Sequence, residues 1–259
     1  MTGPVTALGT HTLRHLTRAP STVVLLVLTA LLAITSPLVA AHAPRIIEAL
    51  AGPQVAASTA VPGEPGWRDG GAQWLKNLSQ VMSVAVTVVA ATTVARALHD
   101  GTSVLVLAVG VPRRTLLGVS LAGVHLLPLV IAVGGSALAW AMTWALIDRP
   151  PLSTFLVCAA VWFLRMQLVT TAVCLAAVIS SSPVGAAGTG LSLLLLLSVG
   201  GLWPWAAGHT PAGLGSLAAD VMAGHGAGAS PWYVVATTLL CSAVLLLAAC
   251  LVHDRRDLP

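Results

Sequence analysis

Long apolar runs alternate along the chain with short polar breaks. Six of these runs approach or exceed the roughly 20 residues that a helix needs to cross the hydrocarbon core of a bilayer: about 23–41, 78–94, 115–146, 154–179, 184–202 and 233–251. The third is longer than the membrane is thick and must tilt or project beyond it. Within it, Gly134-Gly135-Ser136 allows another helix to come close. In the first run, Ser36-Pro37 predicts a kink or an end near the far interface. Ahead of it, His11, Arg14, His15 and Arg18 interleave with Leu13 and Leu16, which predicts an amphipathic N-terminal helix lying on the membrane surface, with Pro20 as the bend into the first span. The lead-in is long and the run from Val23 is long enough to span, so a cleavable signal peptide is not expected.

The breaks carry turn chemistry. Residues 42–77 are rich in Pro, Gly and small polar residues and read as an external loop, with a short helix at 45–50 started by Pro44. Asp148-Arg149-Pro150-Pro151 is a tight external turn, and Ser180-Ser181-Ser182-Pro183 a short cytoplasmic one. The second external loop, 203–232, holds Leu214, Leu217, Val221 and Met222 at near-helical spacing, which predicts a helix dipping into the outer interface. No internal repeat is evident, which argues against a transporter of two inverted halves. The expected organisation is one transmembrane domain over 1–259.

Composition removes the soluble alternatives. The chain is 57% hydrophobic and 8% charged, with a mean hydropathy of +0.93, against about 25% charged in a soluble domain. A water-soluble fold of 259 residues cannot hide that much apolar surface. Cys158, Cys174, Cys241 and Cys250 all fall within apolar runs without metal-ligand spacing and are expected to pack as small apolar residues; no metal is expected. Twelve Lys+Arg against eight Asp+Glu mark cytoplasmic loops rather than a nucleic-acid surface. With both termini inside, the cytoplasmic face holds Arg14, Arg18, Arg96, Arg113, Arg114, Arg255 and Arg256, and the outer face Arg45, Arg68, Lys76 and Arg149. The positive-inside rule therefore favours an all-α protein of six spans with cytoplasmic N- and C-termini. A single lysine, many arginines and abundant Ala, Gly and Val point to a GC-rich bacterial source, hence to a multi-pass protein of the bacterial cytoplasmic membrane. The Asn77-Leu78-Ser79 sequon is then accidental.

The most informative break is Arg96 to Gly118, between the second and third spans. Asp100-Gly101-Thr102 ends one helix and caps another, Ser103 to Val109 is apolar enough to lie against a membrane or a protein, and Gly110 to Arg114 breaks again and presents Arg113 and Arg114. The stretch resembles the segment after span two in permease subunits of ABC-2-type ATP-binding-cassette exporters: acidic-Gly-Thr, an apolar helix, Pro, a basic pair, Leu-Leu-Gly. Here it reads His99-Asp100-Gly101-Thr102, Ser103 to Val109, then Pro112-Arg113-Arg114-Thr115-Leu116-Leu117-Gly118. The resemblance extends to Ser36-Pro37-Leu38, Pro44-Arg45-Ile46-Ile47, Trp74-Leu75-Lys76-Asn77-Leu78, the Ser-rich turn after span four and the basic tail. The chain departs from the pattern in having Asp100 alone where a stronger acidic run is common, and Val119 where a lysine often follows.

The resemblance implies a cytoplasmic coupling helix, carried by Asp100, Gly101, Thr102, Val104, Leu105, Leu107, Pro112, Arg113 and Arg114, that docks on a separate ATPase subunit. It implies a second permease subunit, identical or not, and an outward-moving amphipathic or hydrophobic cargo such as a lipid, natural product or peptide. No Gly-x-x-x-x-Gly-Lys-Ser/Thr stretch occurs and the single lysine is Lys76. ATP and Mg are therefore expected on the partner, and this chain is not expected to be an enzyme. A non-transporting membrane partner of an ABC ATPase is the alternative.

Polar residues inside the spans are the remaining candidates, since an arginine at mid-depth costs at least about 2.5 kcal/mol unless it is paired or reaches water. Arg165 in span four reads either as a lining residue of a substrate path or as a donor to a neighbouring carbonyl. His125 in span three reads as a satisfied core histidine, or as a polar partner at the depth of Arg165. Gln167 and the deep Trp162 complete the candidate path. Trp67, Trp74, Trp140, Trp144, Trp203, Trp205 and Trp232 read as anchors at the outer interface.

Overall fold

The structure is a computed structural model that describes residues 19–51, 65–99, 113–225 and 231–255. The surface helix expected before Pro20, the coupling segment from Asp100 to Pro112, and Arg256 lie outside the described residues.

All elements among the described residues are helical. α1 is Pro20–Ala51. α2, Trp67–Asn77, passes through a π-helical turn, Leu78–Met82, into α3, Ser83–His99. α4, Arg113–Val130, passes through a second π turn, Ile131–Gly135, into α5, Ser136–Leu146. α6 is Leu152–Ser180 and α7 Pro183–Gly200. A short arm follows: α8 Pro204–His209, a 3-10 turn Pro211–Gly213 and α9 Leu214–Ala223. α10, Pro231–Arg255, ends the described chain. Among the described residues six helical stretches are long and apolar enough to cross a membrane: Pro20–Ala43, Trp67–Leu98, Gly118–Leu146, Leu152–Ser180, Pro183–Gly200 and Pro231–Arg255. The chain is an all-α, multi-pass membrane protein.

α6 is the hub. It packs against α3, α7, α9 and α10 as well as α4 and α5, and from Val161 to Val178 it is buried or half-buried on every side rather than along one stripe. The outer helices have the opposite character. Val24 and Val27 on α1, Leu195 and Leu196 on α7, and Leu240 and Leu247 on α10 are each more than 60% exposed, a surface that hydrocarbon accepts and water does not. Cys158 and Cys174 are buried in the packing of α6, as small apolar residues are.

Three sequence expectations are corrected here. Helix α1 does not end at Pro37 but continues to Ala51. The hydroxyls of Thr35 and Ser36 donate to the carbonyls of Leu31 and Leu32, and Asn77 Nδ2 on α2 donates to Ser36 Oγ at 2.8 Å, the kind of polar support that lets a proline sit in a membrane helix. The second span begins at Trp67 rather than Leu78, so 67–77 is helix and not loop. Asp69 starts it by accepting the Gly66 N–H at 2.9 Å. Trp74 is not an interface anchor: it is 2% exposed and its indole N–H donates to Ser136 Oγ at 3.0 Å. Its ring lies so close to Gly135 that a Cβ there would meet it at 2.9 Å, with Thr29 of α1 at 2.7 Å on the same side. Gly135 thus lets α1, α2 and the second π turn meet at one level. Trp203, Trp205 and Trp232 are well exposed, as interfacial anchors are, whereas Trp140 is partly buried and donates to the Pro150 carbonyl at 2.9 Å.

The helix expected around Leu214, Leu217, Val221 and Met222 is α9. It packs on α6 and α2, with Leu214, Ala218 and Met222 buried.

Candidate functional site

α2 and α9 lie side by side and flank an open, groove-like cavity of about 480 Å³. On α2, Arg68, Ala72 and Lys76 recur every four residues and so share one helix face, which Ser79 and Gln80 continue into the π turn. On α9, Gly215, Ala219 and Ala223 repeat the same spacing opposite them. The space exists because the facing residues are small: Ala72 on one wall, and Gly215, Ala219 and Ala223 on the other.

The walls are held from behind. Met222 packs onto Gly71 and Phe155, so closely that a Cβ on Gly71 would lie 2.3 Å from Met222 Sδ. Cys158 Sγ donates to the Ala218 carbonyl at 3.4 Å. α9 ends at Gly224 in the left-handed region, φ 75°, which a glycine adopts without strain. The Arg68 guanidinium lies against this glycine, Nη2 being 2.6 Å from the position a Cβ would take. There it meets the negative end of the α9 dipole, and it also stands 5.2 Å from the Trp67 ring centroid.

Charge in the cavity is unbalanced. Among the described residues neither Arg68 nor Lys76 has a carboxylate partner, and the Asp69 carboxylate is engaged by the Gly66 N–H.

Behind Gly215 stands Arg165, 7% exposed. Its Nη2 donates to Ser198 Oγ at 2.9 Å and reaches the Leu194 carbonyl at 3.4 Å, both on α7. Its Nε is buried with no partner among the described residues. Its Nη1 lies 3.9 Å from the place a Gly215 Cβ would occupy. Arg165 is therefore only partly satisfied, by a hydroxyl and a carbonyl rather than by a counter-ion.

The other intramembrane candidates do not join it. His125 Nδ1 pairs with Thr170 Oγ1 at 3.0 Å rather than with Arg165. Since that hydroxyl donates to the Met166 carbonyl at 2.7 Å, its oxygen is left to accept from the imidazole. Trp162 is 2% exposed, and its indole N–H donates to the Leu78 carbonyl at 2.9 Å and Ser83 Oγ at 3.0 Å. It closes the first π turn against α6 and is not among the residues lining the cavity between α2 and α9. Gln167 is half-buried, and its backbone carbonyl accepts from the Thr171 hydroxyl at 2.7 Å. Of the expected docking residues, Arg113 and Arg114 open α4; Asp100, Gly101, Thr102, Val104, Leu105, Leu107 and Pro112 lie outside the described residues.

Arg68 and Lys76 were absent from the sequence candidates because 42–77 reads as loop, and Ser79 and Gln80 because they open the expected span 78–94 without a charge to mark them. The signal that could have found them is the four-residue spacing Arg68-Ala72-Lys76 running without a break into the apolar span.

No protein-family model matches this chain, and no curated protein matches it.

Arg165→Met is expected to melt within about 1 kcal/mol of the unmodified protein, or higher. Replacing a buried, imperfectly paired charge by an apolar side chain of similar length is commonly neutral or stabilising. Thermal melting in detergent checks this, and a loss of about 3 kcal/mol would instead make Arg165 a structural strut.

Proposed function

We propose that the chain is the membrane-spanning permease subunit of an ABC-2-type exporter, which moves an amphipathic or hydrophobic cargo outward with ATP hydrolysed, with Mg, on a separate subunit. The observation that carries this reading is the Asp100-Gly101-Thr102 to Arg113-Arg114-Thr115-Leu116-Leu117-Gly118 pattern between the second and third of six apolar helices. In this reading the stretch is the coupling helix, both termini are cytoplasmic, the membrane is the bacterial cytoplasmic one, and two permease subunits form the pathway.

The packing supplies a mechanical rationale. α3 ends at His99 and α4 begins at Arg113, so force applied between them enters two helices that pack on each other and on α6. α6 in turn packs against α9. An ATPase that pulls on the coupling segment would thus tilt the bundle as a unit, a rigid-body route to an outward opening. The cavity between α2 and α9 would then face outward, at the exit side.

Inverted vesicles carrying the chain with its ATPase are expected to take up cargo only when ATP is supplied. Association with the ATPase but no ATP-dependent uptake of any cargo would favour a non-transporting membrane partner.

A further inference from the structure

We infer that the cavity between α2 and α9 binds the anionic headgroup of an amphiphile, a phosphate-type group carrying an apolar tail. The inference rests on the permease reading only in treating that ligand as cargo.

Three observations carry it. The first is charge: Arg68 and Lys76 both line the cavity without a counter-ion among the described residues, while Asp69, the one carboxylate among the lining residues, is held by the Gly66 N–H. A ligand with one or two negative charges supplies what the site lacks, and guanidinium and ammonium together are suited to a phosphate. The second is the wall itself. Leu75 on α2 and Ala219 and Met222 on α9 are apolar, while Ser79 and Gln80 add hydrogen-bonding groups, so the lining is part polar and part apolar, as sites for amphiphiles require. About 480 Å³ accommodates a headgroup and the first carbons of a tail.

The third is Arg165. A buried arginine whose Nε has no partner among the described residues is expensive inside a membrane, and its Nη1 lies 3.9 Å from the place a Gly215 Cβ would occupy, where α9 has no side chain to intervene. An anion seated against Gly215 has this cation behind it as well as Arg68 and Lys76 in front. The same arrangement favours an anionic over a zwitterionic headgroup, whose ammonium would meet three cations and one carboxylate already in use.

The test uses the full chain in phosphatidylcholine nanodiscs, with radiolabelled dodecyl phosphate as the probe and proximity scintillation as the readout. Dodecyl glucoside and inorganic phosphate are the competitors. Arg68 and Lys76 are exposed, so Arg68→Gln with Lys76→Gln removes the charges at the surface, and Lys76→Gln alone, which leaves Arg68 against Gly224 and Trp67, controls for any loosening of the end of α9. Affinity for dodecyl phosphate is expected to fall about tenfold for each cation removed. Ala219→Leu, which fills the cavity and leaves both charges, is expected to weaken the probe by a similar factor. Dodecyl glucoside, with the same tail, is expected to compete poorly, and inorganic phosphate, with no tail, to compete only at far higher concentration.

Unchanged affinity in the double glutamine variant would overturn the proposal. So would inorganic phosphate competing as well as dodecyl phosphate itself, which would make this a site for a soluble anion. Failure of the permease reading shows elsewhere, as the absence of an associated ATPase, and leaves the binding result standing.

Discussion

Gly213→Ala is expected to lower stability by at least about 3 kcal/mol, because the new methyl group would collide with backbone rather than with a movable side chain. A Cβ at this position would lie 1.8 Å from the Ala207 carbonyl oxygen, 2.8 Å from its carbon and 3.1 Å from Val234 Cγ2. The glycine closes the turn that returns the chain from α8 to α9, where its N–H donates to the Thr210 carbonyl at 3.0 Å and the Thr210 side chain accepts from the Ala212 N–H. Relief requires α8 to move away. That movement breaks the stacking of His209 on Tyr233, 5.8 Å between centroids, and strains the seating of Leu214, 1% exposed in the core. Gly208→Ala is the control, since it sits in the neighbouring helix α8 with nothing within 4 Å of its Cβ position and should melt within about 1 kcal/mol of the unmodified protein. Melting in detergent compares the two, with an expected gap of roughly 6–12 °C. Equal melting would mean that the α8–α9 turn is not packed as described.

The same turn shows where sequence reasoning stops. The six apolar runs could be read directly, because a membrane span needs about 20 consecutive apolar residues and little else produces them; the spans found at Leu152–Ser180 and Pro231–Arg255 extend those read at 154–179 and 233–251 by only a few residues. α9 was legible too, from the spacing of Leu214, Leu217, Val221 and Met222. What could not be read is decided by neighbours distant in sequence. Arg68, Asp69, Gly70, Gly71 and Lys76 have loop composition, yet they form a helix because Gly70 and Gly71 are buried where α2 meets other helices. Trp74 and Trp162 look alike to their sequence neighbours as interfacial or path-lining aromatics. Only the positions of Ser136, Leu78 and Ser83 show that both indoles are satisfied inside the bundle. For Arg165, burial could be predicted; its half-satisfied state beside Gly215 depends on a helix 50 residues away in the chain.

The second large effect concerns the segment between α3 and α4. Replacing residues 100–112 by a Gly/Ser linker of equal length removes Asp100, Thr102, Val104, Leu105, Leu107 and Pro112, while leaving Arg113 and Arg114 at the start of α4. Buried residues that hold the neighbouring helices, among them Val94 and Leu98 on α3 and Leu121 and Val124 on α4, lie outside the replaced stretch, so folding and membrane insertion are expected to persist. Docking is expected to be lost altogether. On the proposed permease reading the native segment docks through its apolar side chains, whereas a flexible linker would have to be ordered at each binding event and offers no apolar side chains to bury.

A permease subunit of this kind must carry an ATPase through that segment. Purified from its native membrane under mild detergent, the unmodified chain is predicted to bring down an ATP-binding-cassette subunit in about one-to-one ratio, with ATP hydrolysis in the eluate. The linker variant, equally abundant and equally folded, is predicted to elute without either. Purification of the unmodified chain free of any such subunit, or an association that survives the replacement of residues 100–112, would contradict it.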